Sequence, residues 1–185
     1  MQKVIWRLFF NYEKEEAWLN KLSAEGLAFV GYSIFRYAFV ESLPGEYTYR
    51  IELLDNIPSH PKSQNYLAFM AENGVEHISS WFRWVYFRKK AENGQFDIYS
   101  DVKSRIAHYQ RISMLWFILM VSNISLGLIN LGIGLEYLFG SGPSLKLSSL
   151  LVGIFAITVG IVIFLSWNSL RKKLNRLKLE KNLHE

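Results

Sequence analysis

The chain has no cysteine, so any chemistry it performs must come from histidines, carboxylates, arginines and hydroxyls. A disulfide framework, a thiolate zinc site and a cysteine nucleophile are all excluded. The four histidines, His60, His77, His108 and His184, fall in a loop, at a strand start, in a connector and in the tail. None has a second histidine three or four residues away that would place two imidazoles on one helix face, so no metal centre is expected. The chain also lacks the glycine-rich phosphate loop, the dinucleotide fingerprint and the serine nucleophile elbow, and nothing calls for a cofactor. Glu13, Lys14, Glu15 and Glu16 form a charge run at a helix start, a pattern that usually faces solvent. No catalytic constellation is assigned, and the expectation is a non-enzymatic protein. What remains is a binding set, Arg7, Arg50, Glu52 and Arg83, whose use depends on the strands that carry it.

Those strands belong to the first hundred residues. Val4 to Phe10 reads as a strand. Asn11 caps a helix through Leu22, with Glu13, Glu15 and Glu16 in its first turn and Gly26 ending it. Phe29 to Val40 is a second strand, Pro44-Gly45 a turn, and Tyr47 to Leu53 a third strand with alternating side chains. A helix from about Lys62 to Glu72 stops at Asn73-Gly74, and Ile78 to Lys89 is a fourth strand. The order β-α-β-β-α-β predicts an α+β, ferredoxin-like domain. A faint repeat of period 48 agrees with it, aligning Leu19 with Leu67, Gly26 with Gly74 and Phe39 with Phe87. In such a fold both helices cover one sheet face. With Tyr47, Tyr49, Ile51 and Leu53 turned to the helices, Arg50 and Glu52 lie on the open face, joined by Arg7 and Arg83. The second and fourth strands carry rings on both faces, among them Phe35, Tyr37, Trp81 and Trp84, more than a small domain leaves in water. Three explanations stay open: a homodimer or partner surface, a small anionic ligand held by arginines among aromatics, or longer strands with a covering loop.

The second half differs in kind. Mean hydropathy is only +0.08, yet Ile112 to Leu135 and Leu147 to Leu170 are each 24 residues without a charge. A helix of that length rises about 36 Å, enough for a hydrocarbon core of about 30 Å. The expected organisation is a ferredoxin-like domain over 1–92, a connector over 93–111, and a transmembrane hairpin over 112–170 with helices 112–136 and 147–169. A basic tail covers 171–185. Ser100-Asp101 is placed to cap a helix running into the membrane, and a turn over Tyr137 to Lys146 joins the spans. Trp116, Tyr137 and Trp167 sit near the expected interfaces. Residues 1–111 hold 14 basic and 13 acidic side chains, whereas 166–185 hold six and two. Most of the net +5 is therefore a juxtamembrane tail rather than a nucleic-acid footprint. The positive-inside rule places both termini in the cytoplasm.

Inside the spans, Asn123, Gly127, Asn130 and Gly134 recur at the same spacing as Ser149, Gly153, Ala156 and Gly160. In an antiparallel hairpin the pairs Asn123–Gly160, Gly127–Ala156, Asn130–Gly153 and Gly134–Ser149 lie at equal depth, each summing to position 283. Small residues let backbones approach, so the two stripes are expected to face one another within the chain, with each asparagine amide reaching the facing backbone or a water. One stripe pairing between chains is the competing arrangement.

Several segments also resemble a family of uncharacterised bacterial membrane proteins, domain of unknown function 2812. They are Glu15-Glu16-Ala17-Trp18-Leu19-Asn20, Gly26, Pro44 through Ile51, Leu54 through Pro61, Arg83 through Lys90, and Tyr99-Ser100-Asp101. The resemblance covers roughly residues 1–112, although members often carry Gly-Trp where this chain has Gly26-Leu27. It implies a membrane-associated protein, common in Gram-positive bacteria and often encoded beside a PadR-like regulator. Residues and resemblance together lead to an integral membrane protein of the bacterial cell membrane. It would act as a sensory, adaptor or regulatory protein, with the lipid bilayer and a homodimer or membrane-protein partner as its contacts and no nucleic acid. The alternative is an accessory subunit of a transporter or resistance complex.

Overall fold

A computed structural model describes residues 2–99, 101–139 and 145–184. Two units are formed, Met1–Asp101 and Val102–Glu185. The first contains β1 (Lys3–Trp6), α1 (Tyr12–Ala24), β2 (Leu27–Ser33), β3 (Arg36–Glu41), β4 (Tyr47–Leu53), α2 (Pro61–Glu72), β5 (Glu76–Trp81) and β6 (Trp84–Lys90). The strands form two antiparallel three-stranded sheets, ordered β1-β3-β2 and β4-β6-β5. The head is α+β, but the expected ferredoxin-like arrangement with four strands is corrected to six strands in two sheets. Each long aromatic run folds back as a hairpin, at Ile34-Phe35 and at Phe82-Arg83. A straight strand of twelve residues would span about 40 Å, and halving it lets rings on both faces find cover. Neither turn contains glycine or asparagine, so the sequence carries no turn signal there. Phe35 and Phe82 instead adopt φ of 63° and 55°, a left-handed backbone that costs an L-residue about 1–2 kcal/mol.

The unit is thus β-α-β-β twice, and the repeat holds in register. Phe29 pairs with Phe39 and Ser33 with Arg36; 48 positions on, His77 pairs with Phe87 and Trp81 with Trp84. Both second strands slip register at matching places, between Phe29 and Gly31 and between His77 and Ser79. Trp18 meets Phe39 edge-on at 5.7 Å, as Tyr66 meets Phe87 at 6.3 Å. Each helix is capped by the side chain before it, Asn11 accepting from the Glu13 and Lys14 N–H groups and His60 from Lys62. Gly26 and Gly74, with φ of 84° and 73°, turn the chain from helix into strand.

The two sheets meet through β2 and β5. The Ser79 hydroxyl accepts from the Tyr32 N–H at 3.1 Å and lies 3.3 Å from the Tyr32 carbonyl, to which it donates. On the other side α1 lies against β4, so Leu19 and Leu22 share one core with Phe29, Tyr37 and Phe39 of the first sheet and with Tyr49, Ile51 and Tyr86 of the second. Fully burying a side chain of this size contributes about 1.5–3 kcal/mol. A second core, Leu54, Met70, Val75, Val85, Phe87 and Phe96, lies under α2 on the opposite face of β4-β6-β5. The start of α1 adjoins both hairpin turns: Tyr12 packs on Trp84 at 5.8 Å, and the Arg7 N–H just before the helix donates to the Phe35 carbonyl at 2.8 Å. Both turns therefore lie at one end of the head.

In the second unit α3 (Val102–Phe139) and α4 (Leu145–His184) pack against each other. α3 begins ten residues ahead of the expected span, and α4 continues through the basic tail as one helix. The expected turn residues Gly140, Ser141, Gly142 and Pro143, and the expected cap Ser100, lie outside the described residues. Only 17% and 22% of the most apolar windows of these helices are buried, whereas the core helix of a soluble protein is mostly buried. Both are long and apolar enough to cross a membrane.

Candidate functional site

Glu15 stands in the first turn of α1 and is only 8% exposed, inside the shared core. The Tyr37 hydroxyl donates to its Oε1 at 2.7 Å and the Tyr86 hydroxyl to the same atom at 2.6 Å. Tyr32 stacks on Tyr86 at 5.2 Å and meets Tyr37 edge-on at 4.9 Å. One carboxyl group thereby ties α1 to β3 of the first sheet and β6 of the second. Burial raises the Glu15 pKa above the ordinary carboxylate value, with the two phenol donors opposing it. The Tyr37 and Tyr86 hydroxyls are pushed up by burial and by the adjacent carboxylate, and remain donors. Such a cluster clamps three elements. Glu15 was expected to face water, because an acidic residue in a first helical turn also suits the helix dipole.

The next residue begins a different device. Glu16 accepts from the Ile51 N–H at 2.9 Å. Asn20 brackets Tyr49, accepting from its N–H at 2.8 Å and donating to its carbonyl at 3.0 Å. Ser23 donates to the Tyr47 carbonyl at 2.6 Å. Four helical residues rise about 6 Å and two strand residues about 6.7 Å, so side chains one helical turn apart meet alternate residues of the strand. The edge of β4 is paired as though by another strand. Burial also raises the Glu16 pKa, against the Ile51 N–H and the Arg50 charge.

The four expected binding residues do not meet on an open face. Arg50 sits 3.3 Å from Glu16 and its guanidinium lies 5.8 Å from the Phe96 ring. Glu52 is 4% exposed and accepts from the Tyr66 hydroxyl at 2.8 Å. Arg83 donates from Nε to the Leu54 carbonyl at 2.7 Å, and Arg7 lies over the Phe9 and Trp18 rings at 4.9 and 5.2 Å. The expectation fails because both faces of β4-β6-β5 are covered, one by α1 with the first sheet and the other by α2 with Phe96. Among the described residues, no three histidine, aspartate or glutamate side chains converge to hold a metal ion.

The surface left uncovered belongs to the first sheet. β1 is an edge strand that pairs with β3. Val4 lies opposite Ala38, and Trp6 opposite Arg36, on the face turned away from α1. Val4 is 37% and Trp6 70% exposed, and Val40 and Ala38 beside them are half-buried. The sequence signal was available in part: Val4 and Trp6 alternate with Ile5, which packs into the core.

In the second unit Gly127, Gly134, Gly153 and Gly160 lie at the helix crossing, whereas Gly132 faces open space. A methyl group at Gly127 would stand 2.5 Å from Ile157 Cγ1 and 3.1 Å from the Gly153 carbonyl oxygen. One at Gly153 would stand 2.9 Å from the Leu131 nitrogen, one at Gly134 2.9 Å from the Leu150 nitrogen, and one at Gly160 2.8 Å from Ile124 Cγ1. Ala156 is buried and Ser149 half-buried. The asparagines depart from expectation: Asn123 and Asn130 donate to the Leu119 and Leu126 carbonyls, both at 2.8 Å, four residues back in their own helix. A carbonyl one turn away needs no approach of the second helix.

These features define a class, a head of two interlocked β-α-β-β repeats joined to a pair of apolar helices long enough to cross a membrane. Residues 11–121 match the family described as protein of unknown function (DUF2812), and the chain belongs to that family. No curated protein and no solved structure matches it.

Proposed function

We propose that this is a non-enzymatic membrane-anchored adaptor or sensory protein whose head binds a protein partner on the uncovered face of its first sheet. One observation carries the reading. Two sheets are built from one repeat, yet the edge of β4 is sealed by Glu16, Asn20 and Ser23 while β1 remains an edge strand beside exposed Val4 and Trp6. An apolar edge kept open in this way favours strand addition by a partner. The excess of lysine and arginine after the second apolar helix supports an orientation with both termini in the cytoplasm of a bacterium. A photo-crosslinking residue placed at Val4 in full-length protein, in native membranes, tests the reading. A discrete adduct is expected at Val4, lost on Ala38→Glu and absent when the probe stands at exposed Leu43. No adduct at Val4, or one unchanged by Ala38→Glu, would refute it.

A further inference from the structure

A second surface, adjoining the open sheet face at Trp6, lies at the end of the head where the two hairpin turns come together. Ile34 and Phe35 tip one hairpin and are 57% and 46% exposed; Trp81 and Phe82 tip the other and are 47% and 59% exposed. Tyr32 and Trp81 lie 6.4 Å apart between ring centroids, linking the two tips. From this surface we infer that the head docks its hairpin tips into the headgroup region of the bilayer to which the chain is anchored.

Three independent observations support it. The first is backbone strain: Phe35 and Phe82 hold φ of 63° and 55°, where glycine or asparagine would sit at lower cost. Each turn carries its aromatic ring at the left-handed residue, the second turn position in one hairpin and the first in the other, and neither ring is needed to fill a core. The second is composition. Trp and Phe beside arginine suit the boundary between acyl chains and headgroups, where a ring is half-solvated and a guanidinium reaches phosphate. Arg7, whose N–H donates to the Phe35 carbonyl, Arg36 at the start of β3 and Arg83 in the second turn stand beside the tips, which suits anionic headgroups. The third is the tether. Eleven residues separate Lys90, the last of β6, from Val102, the first of α3. Phe96 and Ile98 within that segment pack on the second core, so the free tether is shorter than eleven residues and the head meets a membrane surface at high effective concentration. Weak individual insertions then suffice.

Full-length protein in nanodiscs of phosphatidylethanolamine and phosphatidylglycerol gives the test, and the absence of native cysteine makes single labels simple. Nitroxides are placed through Ile34→Cys and Trp81→Cys, with Leu43→Cys and Phe69→Cys as exposed apolar controls. Collision rates with oxygen and with a water-soluble nickel chelate are then compared. The expected result is an oxygen-to-nickel ratio at 34 and 81 at least threefold above that at 43 and 69. Phe35→Asn with Phe82→Asn, which relieves the backbone strain, should return the ratio to the control value without lowering the melting temperature. Control-like ratios at 34 and 81 in the parent would overturn the inference. So would shielding from both relaxants with spin–spin broadening between copies, which would make a second copy of the chain the occupant. An undiminished ratio in the double Asn variant would also overturn it.

Discussion

α1 and α2 start from the same plan and end with different tasks. Each is capped by the residue before it, each sets a ring edge-on to a phenylalanine 48 positions apart, and each closes on a glycine of positive φ. They part at four places. Glu15, Glu16, Asn20 and Ser23 of α1 correspond by that spacing to Ser63, Gln64, Ala68 and Ala71 of α2. The first helix therefore grips a strand of the second repeat, while the second helix has alanines where the grip would be. A duplicated unit needs only a few polar residues, one helical turn apart, to decide which of two equivalent strand edges is sealed. The other edge is left available.

The largest effect expected from breaking this difference comes at Glu15. Glu15→Ala strands the Tyr37 and Tyr86 hydroxyls in the core, at about 1–3 kcal/mol for each unsatisfied group. Chemical denaturation of the full-length protein should show a loss of about 4 kcal/mol. Ser63→Ala, its counterpart in α2, removes only a long bond to the Asn56 carbonyl (3.3 Å) and should cost about 1 kcal/mol or less. Asn20→Ala comes next, at about 2 kcal/mol, because it leaves the Tyr49 N–H without its acceptor and the Tyr49 carbonyl with only the Arg50 guanidinium. It should also promote self-association through the opened β4 edge, measurable by light scattering. The reverse change, Ala68→Asn, meets no strand and should stay within about 0.5 kcal/mol of the parent.

Acidity sharpens the contrast further. The native Glu15 holds its proton more tightly than an exposed carboxyl with the ordinary value of 4.5. Its favourable contribution is therefore fully present below that value and is lost as pH rises through the raised native pKa. Glu16 is shifted in the same direction. Melting temperature against pH should decline over that window, and Glu15→Gln should flatten the curve while Ser63→Ala leaves it unchanged. The smallest effect is expected at a turn: Phe35→Asn should stabilise the head by about 0.5 kcal/mol by relaxing the left-handed backbone.

Much of this was legible in the residues. Asn11, Gly26 and Asn73-Gly74 mark helix ends by known backbone chemistry, and the spacing of Leu19, Gly26 and Phe39 against Leu67, Gly74 and Phe87 reveals the repeat. The hairpins were not legible, because Ile34-Phe35 and Phe82-Arg83 contain no turn residue and the rings around them read as continuous strand. The open face was misplaced for a related reason. Alternation in Tyr47 to Leu53 separates Arg50 and Glu52 from Tyr49 and Ile51, but it does not say that a second sheet and a second helix will cover both sets. Asn20, a poor helix former in a helix interior, was the available sign that α1 carries hydrogen bonds on one face.

The central claim is that β4 is sealed and β1 is kept for an occupant, and deuterium uptake by β1 and β4 peptides tests it most directly. Full-length protein would be compared in detergent and in native membranes. Slow uptake is expected over Tyr47–Leu53 in both settings, with fast uptake over Lys3–Trp6 in detergent that slows in the membrane. Uptake over Lys3–Trp6 as slow in detergent as over Tyr47–Leu53, or equally fast in both settings, would contradict it.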